Sequence, residues 1–259
     1  MTRMPWPEDF PDVFVNGIWR SPDGSDYSGL WDHPLYQAAK GERDVDSAMR
    51  IIDDLAKEEV VDSLRGLAIR CGKTPIVIAP SADIAETNNA LAISYANWIG
   101  HELDWPVEER VFQDKTVSRD RQGGWFRLAH RASFYGQIDS ATPYVIVDDV
   151  ITMGGTMADL RSFIHRKGGS VIGMSAIASR EGTDKQIRLG NDTLARLEEH
   201  YGSDFSSNCC ELFGFPHECF TRDEGLRLLA CKGYDSLREN ILRARHEADA
   251  SGGKRVAGR

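Results

Sequence analysis

The chain is 259 residues long and carries a formal net charge of −9. This acidic balance argues against general affinity for nucleic acid or for an anionic membrane surface. No apolar run is long enough to span a bilayer, and the first ten residues hold no apolar signal core, so a cytoplasmic protein is expected.

In chain order, residues 1–43 read as an irregular N-terminal arm. Trp, Pro, Gly and Asp recur through W-P-E-D-F-P and S-P-D-G-S-D-Y-S-G, which favours turns and extended pieces over a long helix. Trp6, Trp19 and Trp31 are expected to anchor this arm on the body, with a partner surface as the alternative. A helical stretch can begin within Pro34 to Lys40. Asp44 to Arg70 is more clearly helical. Met49, Ile52, Leu55 and Ala56 share a face, Val60, Leu64 and Leu67 continue it past a break near Glu58-Glu59, and Asp44 or Asp46 caps the start.

Thr74 to Pro80 is a short apolar run that reads as a buried parallel strand. Ser81 to Asn89 leaves it, and a helix follows from Ala90 to Ile99. Val107 to Phe112 reads as a second strand. Gln113 to Arg131 then changes character: Lys115, Arg119, Arg121, Arg127 and Arg131 cluster in an otherwise acidic chain, with Gly123-Gly124 available as a hinge. A loop of this length is ordinarily functional or disordered. The bland alternative is a solvated basic loop with a short helix at Trp125 to His130. Ala132 to Ile138 reads as a further strand.

Tyr144 to Leu160, Y-V-I-V-D-D-V-I-T-M-G-G-T-M-A-D-L, organises the rest. An apolar, β-branched run ends in Asp148-Asp149. A small-residue turn follows, Thr152-Met153-Gly154-Gly155-Thr156. Met157, Leu160 and Ile164 then recur at helical spacing until Gly168-Gly169. A parallel strand delivers its last side chains to the carboxyl edge of the sheet, where open α/β sheets bind ligands. A Gly/Thr loop opening a helix presents N–H groups and hydroxyls at the positive end of the helix dipole, which makes a phosphate cradle. Two carboxylates beside a phosphate suit neutral hydroxyls, Mg2+ or a developing positive charge. Together these features describe a ribose 5-phosphate lying across the loop. The competing reading is an ordinary Rossmann-like strand whose acidic pair caps a turn.

Ser170 to Ala178 is a further buried strand, in right-handed parallel crossover from the Tyr144 strand through its helix. The remainder reads as mostly helical, with helices near Asn191 to Tyr201, after Thr221-Arg222-Asp223-Glu224, and over Ser236 to Ala250. Residues 251–259 read as a flexible tail. The cysteines, Cys71, Cys209, Cys210, Cys219 and Cys231, have no framework spacing. A zinc site drawn from Cys209, Cys210, His217 and Cys219 matches no common ligand pattern, so unligated thiols are expected.

Val145 to Thr156 resembles the signature of the type I phosphoribosyltransferases, which bind 5-phosphoribosyl 1-pyrophosphate (PRPP). The resemblance implies an α/β fold with a mostly parallel twisted sheet flanked by helices, spanning about Thr74 to Ser179. It divides the chain into the arm at 1–43, usable as part of a hood over the acceptor, a core at 44–182, a helical extension at 183–250 and the tail. It implies transfer of ribose 5-phosphate from PRPP to a nitrogen acceptor, a nucleobase-like small molecule, with release of pyrophosphate and with Mg2+ as cofactor. A homodimer is compatible with it, and a regulator that binds PRPP or a nucleotide without turnover is the alternative. Asp148 and Asp149 would hold the ribose hydroxyls and Mg2+, and Thr152, Met153, Gly154, Gly155 and Thr156 the 5-phosphate. Ser81 and Ala82 would lie in the pyrophosphate turn, and Lys115, Arg119 and Arg121 in a lid. Two positions depart from the pattern. Met153 stands where Thr, Ser, Ala or Arg is usual, and no Lys or Arg occurs between Lys73 and Arg110, where the turn commonly has a basic residue.

Overall fold

The computed structural model describes residues 2–22, 29–82, 89–114 and 122–252. Its main sheet has five strands in the order β2-β5-β6-β1-β7. These are β1 (Val13–Ile18), β2 (Ile76–Ile78), β5 (Pro143–Ile151), β6 (Ser170–Ser179) and the two-residue β7 (Asp184–Lys185). Every pairing is parallel except that of β1 with β7. Helices α1 (Val45–Leu55), α2 (Glu58–Cys71) and α3 (Ala90–Leu103) cover one face, and α5 (Gly155–Arg166) the other. No helix among the described residues is long and apolar enough to cross a membrane.

The two faces follow from the alternation of side chains along a strand. Val77, Val145 and Val147 pack with Ile51, Leu64 and Leu91 in one core cluster. Ile76, Ile78, Tyr144 and Ile146 pack with Leu160 and Ile164 in the other. A continuous apolar run such as Tyr144 to Val147 is what a strand buried on both faces requires. The helix expected from Asp44 to Arg70 is broken at Ala56-Lys57. Its start is capped as expected, with the Ser47 N–H donating to the Asp44 carboxylate at 2.8 Å.

Two strand expectations are corrected. Val13–Ile18, within the stretch read as an irregular arm, is β1 and lies inside the sheet, parallel to β6. The strand expected at Val107 to Phe112 is two pieces. Pro106 to Glu108 runs beside β2, with the Glu108 N–H donating to the Val77 carbonyl at 2.8 Å. β3 (Val111–Asp114) instead forms a separate antiparallel pair with β4 (Ser133–Gly136). The break falls where the buried Glu108 carboxylate turns back to accept the Arg110 N–H and guanidinium, each at 2.9 Å.

The polar Asn16 is tolerated inside β1 because all its hydrogen bonds are made. Its amide donates to the Tyr95 hydroxyl at 2.7 Å and to the Ala176 carbonyl at 3.1 Å, and its carbonyl accepts the Lys57 N–H at 2.9 Å. Tyr95 in turn meets the Ser175 hydroxyl at 2.7 Å. Tyr95→Phe would leave buried Asn16 and Ser175 each one partner short. A loss of about 1–2 kcal/mol is expected, read as a melting temperature lower by roughly 3–6 °C.

The C-terminal part adds α6 (Asn191–Tyr201), α7 (Phe205–Phe213), α8 (Arg222–Leu229) and α9 (Tyr234–Gly252) around a third apolar cluster. Buried Cys209, Cys219 and Cys231 lie in that cluster as free thiols. The short α4 (Gly124–Ala129) joins it through Trp125, Leu128 and Ala129. Thr221 caps α8 with a full capping box to Glu224.

Candidate functional site

The carboxyl end of β5 delivers Asp148 and Asp149 to the sheet edge, and the chain turns directly into α5. Gly154 makes that turn with φ of +74°, a left-handed conformation that favours glycine. A Cβ on Gly154 would lie 2.3 Å from Ile187 Cδ1, so the residue is fixed by close packing as well as by its torsion. The first turn of the Gly155–Arg166 helix then lines a cleft, at the positive end of the helix dipole. Arg127, Asp148, the turn Thr152 to Met157 and Glu224 line this cleft.

The structure therefore brings Asp148, Thr152, Met153, Gly154, Gly155 and Thr156 to one place. It also brings Arg127, read from sequence as part of the basic stretch, and Thr221, read as a helix cap, neither of which the sequence placed at this loop. Arg127, from α4, donates to the Thr152 hydroxyl at 2.8 Å. Thr221 donates its hydroxyl to the Met153 carbonyl at 2.5 Å. The Met153 side chain packs against the C-terminal apolar cluster. That gives the unusual residue a structural role: it ties the loop to the helical extension.

The acidic pair divides its work. Asp149 is 6% exposed and forms an ion pair with Lys40, whose ammonium also donates to the Asn89 side chain at 3.1 Å. Burial favours the neutral acid, but the Lys40 charge outweighs it and holds Asp149 below the usual carboxylate range. Lys40 responds in kind: burial opposes its charge, and Asp149 raises its pKa regardless. Asp148 is pushed the other way. Burial and the neighbouring Asp149 charge raise it well above the usual range. Its Oδ1 accepts the Asp149 N–H at 2.9 Å. Lys40 sits on a single π-helical turn, Ala38–Glu42, that ends at Arg43 with φ of +60°. It stands between the acidic pair and the start of α3.

Ser81 and Ala82 leave the same sheet edge after β2 but face elsewhere. The Ser81 hydroxyl donates to the Val111 carbonyl at 3.1 Å, and the Gln113 N–H donates to the Ser81 carbonyl at 2.6 Å. Both residues line a second cleft, with Val107, Glu108, Glu109 and Phe112, that shares no residue with the first. Residues 83–88, the rest of the turn expected to hold pyrophosphate, lie outside the described residues. So do Lys115, Arg119 and Arg121, the expected lid cations. The part of that stretch which is described belongs to the body. Gly124 packs against Arg227, α4 joins the C-terminal cluster, and Arg131 lies over the Phe215 ring and 3.5 Å from Asp159.

No family model matches the chain. It is 32% identical over 246 residues to Protein TraN of Escherichia coli, covering 95% of this chain and 52% of that protein. It is 30% identical over 165 residues to an uncharacterized protein of Haemophilus influenzae, covering 64% of this chain and 34% of that protein. The chain thus spans about half the length of the first of these relatives and a third of the second. Among solved structures it is similar to adenine phosphoribosyltransferase from Leishmania donovani, with a TM-score of 0.32 at 18% identity over 68% of this chain and 75% of that one. It is also similar to the Trypanosoma brucei adenine phosphoribosyltransferase in complex with AMP, pyrophosphate and ribose-5-phosphate, with a TM-score of 0.31 at 12% identity over 68% of this chain and 83% of that one.

Proposed function

We propose that this chain binds the ribose 5-phosphate part of PRPP and transfers it to a nitrogen acceptor, releasing pyrophosphate. One observation carries this reading: a glycine turn opening a helix, with an arginine and an aspartate lining the same cleft. The 5-phosphate would lie on the N–H groups of Gly155 to Met157, with Arg127 and the Thr152 and Thr156 hydroxyls beside it. Asp148 and Asp149 would accept hydrogen bonds from the ribose hydroxyls. In the transfer, the bond from the anomeric carbon to the pyrophosphate oxygen breaks and its electron pair leaves with pyrophosphate. The acceptor nitrogen forms the new bond with its lone pair and gives its proton to solvent. Positive charge develops at the anomeric carbon in between, and the acidic pair would stabilise it.

Mg2+ is the expected cofactor, and when bound it would neutralise charge on the leaving group. Asp148 opens on the cleft while Asp149 is turned to Lys40, so Asp148 is the better placed carboxylate. No group of three or more His, Cys, Asp or Glu able to hold a metal converges among the described residues. Mg2+ ordinarily takes one or two carboxylates plus substrate phosphates, so Asp148 and the diphosphate would together hold it.

A second reading has its own support. Asp149 is held by Lys40, and Ser81 and Ala82 face away from the loop cleft, which suits a regulator that binds PRPP or a nucleotide without turnover. Calorimetry with ribose 5-phosphate and PRPP, followed by pyrophosphate release with Mg2+ and a panel of nucleobases and amines, separates the readings. Binding with release supports the transferase. Binding without release under any acceptor supports the regulator. No binding of either ligand removes the transferase and a regulator that binds PRPP.

A further inference from the structure

The cleft over the glycine turn contains a group that a phosphate should not tolerate. Glu224 lines it, is 2% exposed, and stands close enough that a Cβ on Gly155 would lie 2.6 Å from its Oε1. A bare carboxylate there would repel a dianion and cancel the helix dipole.

Arg3 answers that charge from the far end of the sequence. It is 2% exposed, and its Nη2 donates to Glu224 Oε1 at 3.0 Å while Nη1 forms an ion pair with Oε2. Its Nε donates to Asp159 on α5 at 2.8 Å, and its Nη2 also reaches the Gly155 carbonyl at 3.2 Å. One guanidinium thus joins α8 to two points on α5, Asp159 and the helix's first residue, Gly155. Neighbouring contacts hold it there. The Met4 N–H donates to the Ser162 hydroxyl at 3.0 Å, and Arg161 donates to the Met4 and Pro5 carbonyls at 3.0 and 2.7 Å. Asp159 has a second cation in Arg131 at 3.5 Å. Among the described residues, the Glu224 carboxylate also accepts from the neutral Thr221 N–H at 3.0 Å.

We propose that Arg3 is a positioning residue of the phosphate site: it neutralises Glu224, so that an anion meets N–H groups and Arg127 instead of a carboxylate. The proposal rests on the reading of Thr152 to Met157 as a phosphate loop.

The test is calorimetry with ribose 5-phosphate on the full chain, below the melting temperature of each variant. Arg3→Met should weaken binding by about tenfold or more, since unscreened like charges a few ångströms apart repel strongly. Adding Glu224→Gln to Arg3→Met should restore affinity to within about threefold of wild type, because glutamine still completes the capping box without the charge. A purely structural Arg3 would lower the melting temperature of the single variant without changing affinity, and that result overturns the proposal. If Arg3→Met does not fold, the double variant decides alone: affinity near wild type supports the proposal, and a loss beyond tenfold overturns it. Wild type that does not bind ribose 5-phosphate would instead reject the phosphate loop itself, and this proposal with it.

Discussion

Gly155→Val is expected to abolish ribose 5-phosphate binding while leaving a folded but weakened protein. The first atom added, Cβ, would lie 2.6 Å from Glu224 Oε1 and 3.2 Å from Arg3 Nη2. Neither neighbour can simply swing away, because both are buried and each holds the other. The turn must then shift, and the N–H groups that should converge on a phosphate shift with it. Overpacking of this kind costs about 1–3 kcal/mol, and strain on a buried ion pair adds to it. A melting temperature lower by roughly 5–10 °C is expected for a chain of this size. Gly66→Ala makes the control. It lies inside α2, where a Cβ would meet only Arg70 Nη1 at 3.4 Å. A small gain in stability of about 0.5–1 kcal/mol and no change in binding are expected there. Wild-type affinity in Gly155→Val would mean that the phosphate sits elsewhere.

The elements around this turn were legible because their signals are local. The apolar run of β5, the glycine pair and the helical spacing of Met157, Leu160 and Ile164 lie within about twenty consecutive residues, and β5 and α5 fall where that pattern puts them. β1 was not legible. It is six residues long, contains Asn16 and Gly17, and pairs with β6, Phe14 facing Ser175. Nothing local announces a buried strand with a polar residue in it. The asparagine is acceptable only because Tyr95 and Lys57, distant in sequence, complete its hydrogen bonds.

The same limit explains the groups around the cleft. Lys40 meets Asp149 across 109 residues of sequence, and Arg3 meets Glu224 across 221. Such pairs have no spacing to recognise. The absence of a basic residue between Lys73 and Arg110 was visible, and it raised the question of what else supplies positive charge. Lys40 on a π-helical turn and Arg127 on α4 are two cations that the fold brings to this edge. Met153 was legible as a departure but not as a contact, since the C-terminal cluster it packs against is built from residues 128 to 241.

Asp149→Asn and Lys40→Met are expected to look alike in stability and to part in binding. Each removes one side of a pair whose side chains are 9% and 29% exposed. Each leaves the other group short of a partner, so each should cost about 1–3 kcal/mol, less than for a fully buried pair because water reaches Lys40. The double variant should be less destabilised than the sum of the two, since it leaves no uncompensated charge. Function gives a different order. If Asp149 holds a ribose hydroxyl, its carboxylate must be the stronger acceptor that an amide cannot replace. Asp149→Asn should then weaken PRPP and ribose 5-phosphate by about tenfold or more. Lys40→Met keeps the carboxylate and should lose less. It also frees Asp149 from a competitor for the same oxygen, so part of the cost of removing the cation is returned when a hydroxyl binds. Calorimetry on both variants, with melting curves alongside, checks the order. Equal loss of affinity in the two, matched by equal loss of stability, would make the Lys40–Asp149 pair a structural staple and leave Asp148 alone as the ribose contact.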